Sequence, residues 1–252
     1  MVKILLTNDD GIHSPCLQGL ERSLARIGDV TVIVPEKEMS TVSHSLTLNH
    51  PLRVHKIRKN TYITNGTPSD CINIAIMEIF KKKPDLVVSG INMGPNLGDD
   101  VTYSGTVAAS IEATLRGMTS FAISLAAFKN CKFDAAIEFA YVIAKEILKK
   151  GLPKRVFLNV NVPNVSQEEI KGVEITHQSK RVYKEELIKR IDPRGNAYFW
   201  LGGEEPSANY EKGSDYTAVA DKKISITPVQ LDLTDHKMIK KLEKWNIKFS
   251  QR

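Results

Sequence analysis

The sequence predicts an α/β fold: a Rossmann-like, doubly wound and mostly parallel sheet with an extended β insertion near the C-terminus. Three observations predict it. Short β-branched and leucine runs stop at polar turns with glycine or proline, the profile of strands buried on both faces. Segments with apolar residues at helical spacing lie between them, so strand–helix–strand recurs. Finally, 252 residues with 42% hydrophobic and 25% charged side chains suffice for one large core without a disulfide or metal staple.

In chain order, Val2 to Thr7 is the first strand, and Leu17, Leu20, Leu24 and Ile27 mark a helix that Gly28 stops. Val30 to Val34 is a second buried strand, ended by Pro35. Residues 36–51 have no period and are rich in Ser, Thr and His, as a functional loop would be. Leu52 to Ile57 and Tyr62 to Thr64 form a small β excursion. Thr67-Pro68-Ser69-Asp70 carries a helix-start signature, and the helix expected over Cys71 to Lys82 is apolar nearly all round, hence buried. Leu86 to Val88 is a strand, Val107, Ile111, Leu115 and Met118 a helix, Phe121 to Leu125 a strand, and Phe133 to Lys150 a helix ended by Gly151. Val156, Leu158, Val160 and Val162 alternate as a half-buried strand. From 175 to 223 the chain turns to short β-like pieces, with turns at Asp192-Pro193-Arg194-Gly195 and Gly202-Gly203. Ile224 to Thr227 resumes the core pattern and a lysine-rich helix closes the chain. The expectation is one α/β domain over 1–252, with 175–223 as a protruding extension.

Composition narrows the function. The net charge of +6 comes mostly from lysine mixed with glutamate, so it reads as a solvated surface rather than a face for a nucleic-acid polymer. No apolar run reaches membrane-spanning length, and the first strand breaks into Asn8-Asp9-Asp10 too soon for a secretory signal. Three scattered cysteines, Cys16, Cys71 and Cys131, favour reduced thiols in a cytoplasm. GxSxG, Walker A, GxGxxG and HExxH are absent, which disfavours serine hydrolases, P-loop NTPases, dinucleotide oxidoreductases and zincins.

Ligands of open parallel sheets bind beyond the carboxyl ends of the strands, a rule that selects three segments. Asn8-Asp9-Asp10-Gly11 pins two adjacent carboxylates at a strand end, where they repel unless a cation or proton lies between them. All-oxygen ligation there suits Mg, Mn or Ca; the alternative is a helix cap followed by a glycine turn. Ser89 to Gly98 holds three glycines, a proline and the two asparagines Asn92 and Asn96, which fits close backbone approach to a ligand or equally a plain Gly/Asn turn. Tyr103-Ser104-Gly105-Thr106 opens a helix with two hydroxyls and free N–H groups, an arrangement shared by anion sites and ordinary caps. Together the three point to a metal-assisted phosphate site, over which Ser40, Thr41, Ser43, His44 and Ser45 would close. His44 by itself is more often a surface hydrogen-bonder than a catalyst.

These segments have a counterpart. ILLTNDDGI, Pro35-Glu-Lys-Glu-Met-Ser40, Ser43-His-Ser-Leu-Thr-Leu48, Gly66-Thr-Pro-Ser-Asp-Cys71, Val88-Ser-Gly-Ile-Asn-Met-Gly-Pro-Asn-Leu-Gly98, Tyr103-Ser-Gly-Thr106 and Asp192-Pro-Arg-Gly195 closely resemble the survival protein SurE family. The likeness extends to Ile224-Ser-Ile-Thr-Pro228 and Asp232-Leu-Thr234. It implies a metal-dependent 5′-nucleotidase, an acid-phosphatase-like enzyme of the cytoplasm, acting on nucleoside monophosphates, with 3′-nucleotidase or exopolyphosphatase side activity. It implies one divalent ion (Mg, Mn or similar) on Asp9, Asp10, Ser40 and Asn92, and a phosphate site of Asn96, Ser104, Gly105 and Thr106. Asp9 and Asp10 would be catalytic, either of them orienting or deprotonating water, or Asp9 attacking phosphorus directly to give an aspartyl phosphate. Met39 departs from the family, which often has a basic residue there. The resemblance also implies a homodimer or homotetramer in which 175–223 reaches across to a partner, in keeping with the exposed-looking Tyr198, Phe199 and Trp200. The competing reading is a receiver-like, Mg-binding regulatory module, which needs a third Asp where this chain has Asn92 or Ser124.

Overall fold

The computed structural model describes residues 1–182, 185–203, 207–247 and 249. Its central sheet is built from β1 (Lys3–Thr7), β2 (Asp29–Pro35), β3 (Val54–Arg58), β4 (Thr61–Thr64), β5 (Leu86–Met93), β6 (Ser120–Ala126), β7 (Val156–Pro163) and β8 (Val173–Ile175). The last strand of the chain, β13 (Ile224–Gln230), completes it after four short strands described below. The spatial order is β3-β4-β2-β1-β5-β6-β7-β13-β8. From β4 through β7 every neighbour is parallel, while β3 runs antiparallel to β4 and β13 antiparallel to β7. The chain moves from β1 outward to β2 and returns to place β5 on the other side of β1. The reversal leaves a crevice between the carboxyl ends of β1 and β5.

Helices cover both faces. Against one face lie α1 (Leu17–Leu24) and α4 (Asp134–Lys150), where Leu17, Leu20, Ala136 and Ala140 pack with Leu6, Val88 and Ile123. The contact is close because α1 carries Gly19, where a Cβ would stand 2.8 Å from Ile137 Cδ1. Against the other face lie α2 (Pro68–Ile74) and α3 (Gly105–Leu115), where Cys71, Ile72, Ala109 and Ala113 pack with Leu5, Ile33 and Val87. Alternate residues of β1 therefore feed opposite layers, which is why its sequence is apolar without alternation.

Several expectations change. The helix expected to run to Lys82 keeps α-geometry only to Ile74, passes through a π turn over Ala75–Ile79 and is extended at Phe80. Met77 is 69% exposed, so the segment is not buried all round: an apolar run near a helix end cannot by itself say which side meets the core. Helix α3 stops at Leu115, with Met118 buried beyond it. Strand β7 is buried on both sides, because its polar positions Asn159 and Asn161 face the interior as fully as Val160 and Val162.

The late region holds β9 (Arg181–Val182), β10 (Glu185–Ile191), β11 (Ala197–Gly203), β12 (Ser207–Ala208) and the helices α5 (Asp215–Ala220) and α6 (His236–Leu242). Among the described residues, strands β10 and β11 pair only with each other. Their turn sits at Asp192–Gly195 as expected, with Asp192 Oδ1 accepting from the N–H groups of Arg194 and Asn196. Gly202-Gly203 is strand, not turn, and the following residues 204–206 lie outside the described ones. Helix α5 was not expected: six residues are too few to show a period, although Ser214 caps it by accepting from Thr217 N–H. Among the described residues no helix is long and apolar enough to cross a membrane.

Candidate active site

The turn after β1 is fixed by Asn8, whose amide donates to Gly11 O at 3.0 Å while its Oδ1 accepts from Gly11 N–H at 3.0 Å. Gly11 has φ 81°, and a Cβ there would stand 3.0 Å from Pro35 O, so both backbone conformation and space require glycine. The turn directs Asp9 under the N-terminus of α3. Asp9 is only 4% exposed, and both the Thr106 hydroxyl and the Thr106 N–H donate to its carboxylate. The approach is as close as chains allow: a Cβ on Gly105 would lie 2.9 Å from Asp9 Cβ and 3.0 Å from Oδ2. Burial nonetheless pushes the Asp9 carboxyl up, against those hydrogen bonds.

Asp10 faces the same crevice from the other side. Burial, then the neighbouring Asp9 and Glu38 carboxylates, raise it to about 7, although Met93 N–H and the Ser14 hydroxyl favour its ionised form. Its Oδ2 is buried and has no partner. A carboxyl that keeps its proton to about pH 7 when folded, but releases it near 3.8 when unfolded, makes the fold less stable as pH rises through that window. The contribution is complete below the unfolded value and gone above the folded one. Melting in chelator is therefore expected to give a lower Tm at pH 8 than at pH 5, and Asp10→Asn to narrow the gap.

Asn92 ends β5 beside this pair. Its Nδ2 donates to Gly94 O at 2.8 Å, which commits the amide donor and leaves Oδ1 as the ligand atom on offer. Among the described residues no three His, Cys, Asp or Glu side chains converge. A cation here must therefore draw on neutral oxygens beside the two carboxylates. Oxygen-only donors, an orphaned buried carboxylate oxygen and two carboxyls with raised proton affinity fit a hard divalent ion.

The segment after β5 is held by groups that sequence reasoning missed. Asn96 is 6% exposed; its N–H donates to Asn161 Oδ1 at 2.8 Å, and its carbonyl accepts from Asn159 Nδ2 at 2.8 Å and Asn161 Nδ2 at 2.9 Å. Its own amide donates to Ser124 Oγ at 2.7 Å. Gly98 N–H donates to Asp215 Oδ2 at 2.8 Å, and the other Asp215 oxygen accepts from Ser179 N–H and Tyr216 N–H. Asp215 is fully buried at the start of α5. The alternating Asn-Val-Asn of β7 was the available signal, since asparagine on what reads as the outer face of a strand demands a partner if that face is covered.

The loop 36–51 folds over the pair. Met39 N–H donates to Asp9 O at 2.8 Å, and the exposed Ser40 donates its hydroxyl to Glu38 Oε1 at 2.5 Å. Ser43 donates through Oγ to Thr102 O at 2.7 Å and through N–H to Tyr103 O at 3.0 Å. His44 Nε2 meets Glu112 Oε2 at 2.8 Å. Ser104 caps α3 by accepting from Val107 N–H at 3.1 Å. Thus Asp9, Gly105 and Thr106 are in mutual contact, Met39 N–H brings the loop to Asp9, and Asn96 packs toward Ser124 and β7. On the α1 side, next to Ser14, opens a groove of about 1200 Å³ whose walls include His13, Gln18, Arg22 and Phe133.

Fold and site together define a doubly wound α/β protein with an acidic, oxygen-lined centre at its topological switch point. A family model for Survival protein SurE matches residues 4–185, and the chain belongs to that family. The 5′-nucleotidase SurE of Geobacter sulfurreducens (strain ATCC 51573 / DSM 12127 / PCA) is 47% identical over 247 residues, covering 98% of this chain and 94% of that one. The 5′-nucleotidase SurE of Aquifex aeolicus (strain VF5) is 44% identical over 245 residues, covering 96% and 98%. A crystal structure of the SurE protein from Aquifex aeolicus superposes with a TM-score of 0.88 at 43% identity, covering 97% of this chain and all of that one.

Proposed function

We propose that the protein hydrolyses phosphate monoesters, nucleoside 5′-monophosphates above all, to nucleoside and orthophosphate, with one divalent ion, Mg or Mn, on Asp9, Asp10, Ser40 and Asn92. The observation that carries this reading is the adjacent pair of a buried Asp9 and a half-buried Asp10 with an unpartnered Oδ2, set against the N-terminus of α3, since two such carboxyls exceed any capping need and call for a cation. When bound, the ion supplies charge neutralisation for the phosphate and acidifies water near it.

The chain's own groups account for the rest. The α3 N-terminus, with the N–H groups of Ser104 and Gly105, favours anionic oxygens. Ser104 uses a lone pair on its cap, and its O–H remains a donor for phosphate. Asn96 lines the same side, held by Asn159 and Asn161. Thr106 serves the site through Asp9, fixing which carboxylate oxygen faces the crevice. Asp9, so oriented, accepts the proton of the attacking water. The nucleoside is assigned to the groove beside Ser14, whose hydroxyl bonds Asp10.

Dialysis against chelator is expected to abolish AMP hydrolysis, and added Mn or Mg to restore it. Turnover indifferent to chelator would end the metal reading. A receiver-like module is disfavoured because the ends of β5 and β6 carry Asn92 and Ser124, paired in register, where a phospho-accepting Asp belongs. The β10–β11 hairpin, with Trp200 65% and Leu201 72% exposed, is read as a self-association surface of a homodimer or homotetramer. A cytoplasmic setting suits the three free cysteines.

A further inference from the structure

Glu112 is a carboxylate only 4% exposed, near the C-terminal end of α3, yet its bonds reach three other groups. Arg116 Nε donates to Oε1 at 2.9 Å, His44 Nε2 meets Oε2 at 2.8 Å, and the Asn73 side chain on α2 adds a third bond. A buried carboxylate is costly unless such partners hold it, and breaking one of them exposes that cost. Of the three, only His44 comes from the loop 36–51.

That loop has no helix or strand of its own between Pro35 and Val54. Two of its residues stand in the left-handed region, Thr41 at φ 56° and Ser43 at φ 54°. For a β-branched residue such as Thr41 this conformation is strained and persists only where the surroundings impose it. The span that holds these two residues is fixed at both ends. On one side Met39 N–H is bound to Asp9 O; on the other Ser43 is bound to Thr102 and Tyr103, and His44 to Glu112. Ser40 sits within this span.

We infer that His44 is a positioning residue: clasped by Glu112, it holds the strained 40–43 turn in place and so presents Ser40 to the Asp9–Asp10 pair. The inference rests on the proposed metal site, but the clasp itself can be measured without metal. The ring reaches Glu112, within α3, from a main chain anchored at that helix's N-terminal end. Side chains on a helix lean toward its N-terminus, so the two meet alongside the helix. His44 acts through the loop, with no direct part in the chemistry.

The experiment has two arms. In chelated protein, hydrogen exchange at the Met39 and Ser43 amides is expected to quicken by tenfold or more in His44→Ala, with exchange in the central strands unchanged. Unchanged exchange at both amides would overturn the clasp. In the second arm Mn²⁺ affinity is titrated without substrate in wild type, His44→Ala, Ser40→Ala and the double variant. His44→Ala should weaken binding about tenfold in the wild-type background and add nothing once Ser40 is gone. A full further loss in the double variant would show that His44 does not act through Ser40. If wild type itself takes up no Mn²⁺, the metal reading fails, while the exchange arm still decides whether the clasp exists.

Discussion

Asp9→Asn is expected to lower kcat for AMP by at least about 10³-fold, equivalent to roughly 4 kcal/mol of barrier. The metal-free protein should meanwhile melt no lower than wild type. Both halves follow from geometry. The carboxylate is nearly inaccessible, and burial already raises its proton affinity, so removing its charge relieves the fold. Asparagine retains an oxygen to accept from the Thr106 hydroxyl and N–H. It lacks the charge that would hold a cation and the basicity that would take a proton from water. Stopped turnover with an intact or raised Tm separates a functional role from a structural one. A variant that remained active would remove Asp9 from the chemistry.

Asp215→Ala is expected to have the opposite profile, with a large loss of stability and only a secondary loss of activity. Three N–H groups, those of Gly98, Ser179 and Tyr216, converge on this fully buried carboxylate. Truncation leaves them without their acceptor, at a cost of about 3–5 kcal/mol. At about 2–4 °C per kcal/mol for a chain of this size, Tm should fall by on the order of 10 °C. Because one of those donors belongs to Gly98, orthophosphate inhibition should weaken as well, through Asn96. A melting curve within a degree or two of wild type would show that the late region does not brace the site segment.

The two residues also mark what the sequence reveals and what it hides. Asp9 and Asp10 stand out as candidates in the sequence because adjacent acids directly after a buried strand have few uses, and because strand ends are where ligands of such sheets bind. Ser104 and Gly105 were legible as a helix start, and the structure adds why Gly105 must be glycine: its missing Cβ makes room for Asp9. Thr106 was legible as a hydroxyl beside the site, but its commitment to Asp9 depends on how β1 and α3 meet. Asp215, Asn159 and Asn161 carry no local signature of their role. Each lies more than sixty residues from the group it anchors, and only tertiary contact gives them a partner. The same holds for Glu112, which reads as an ordinary helix-surface acid. The apolar run through Ala75–Ile79 misled for a related reason, since composition cannot say where a helix leaves the core.

The neutral grip of Asn159 and Asn161 on the Asn96 main chain has a consequence for working conditions. Carboxamides neither titrate nor attract counterions, so this clamp should hold alike in dilute buffer and in concentrated brine, from mild acid to mild alkali. Changes in the medium would then act on carboxylates, Asp215 behind Gly98 among them, while this carboxamide grip on Asn96 stays closed.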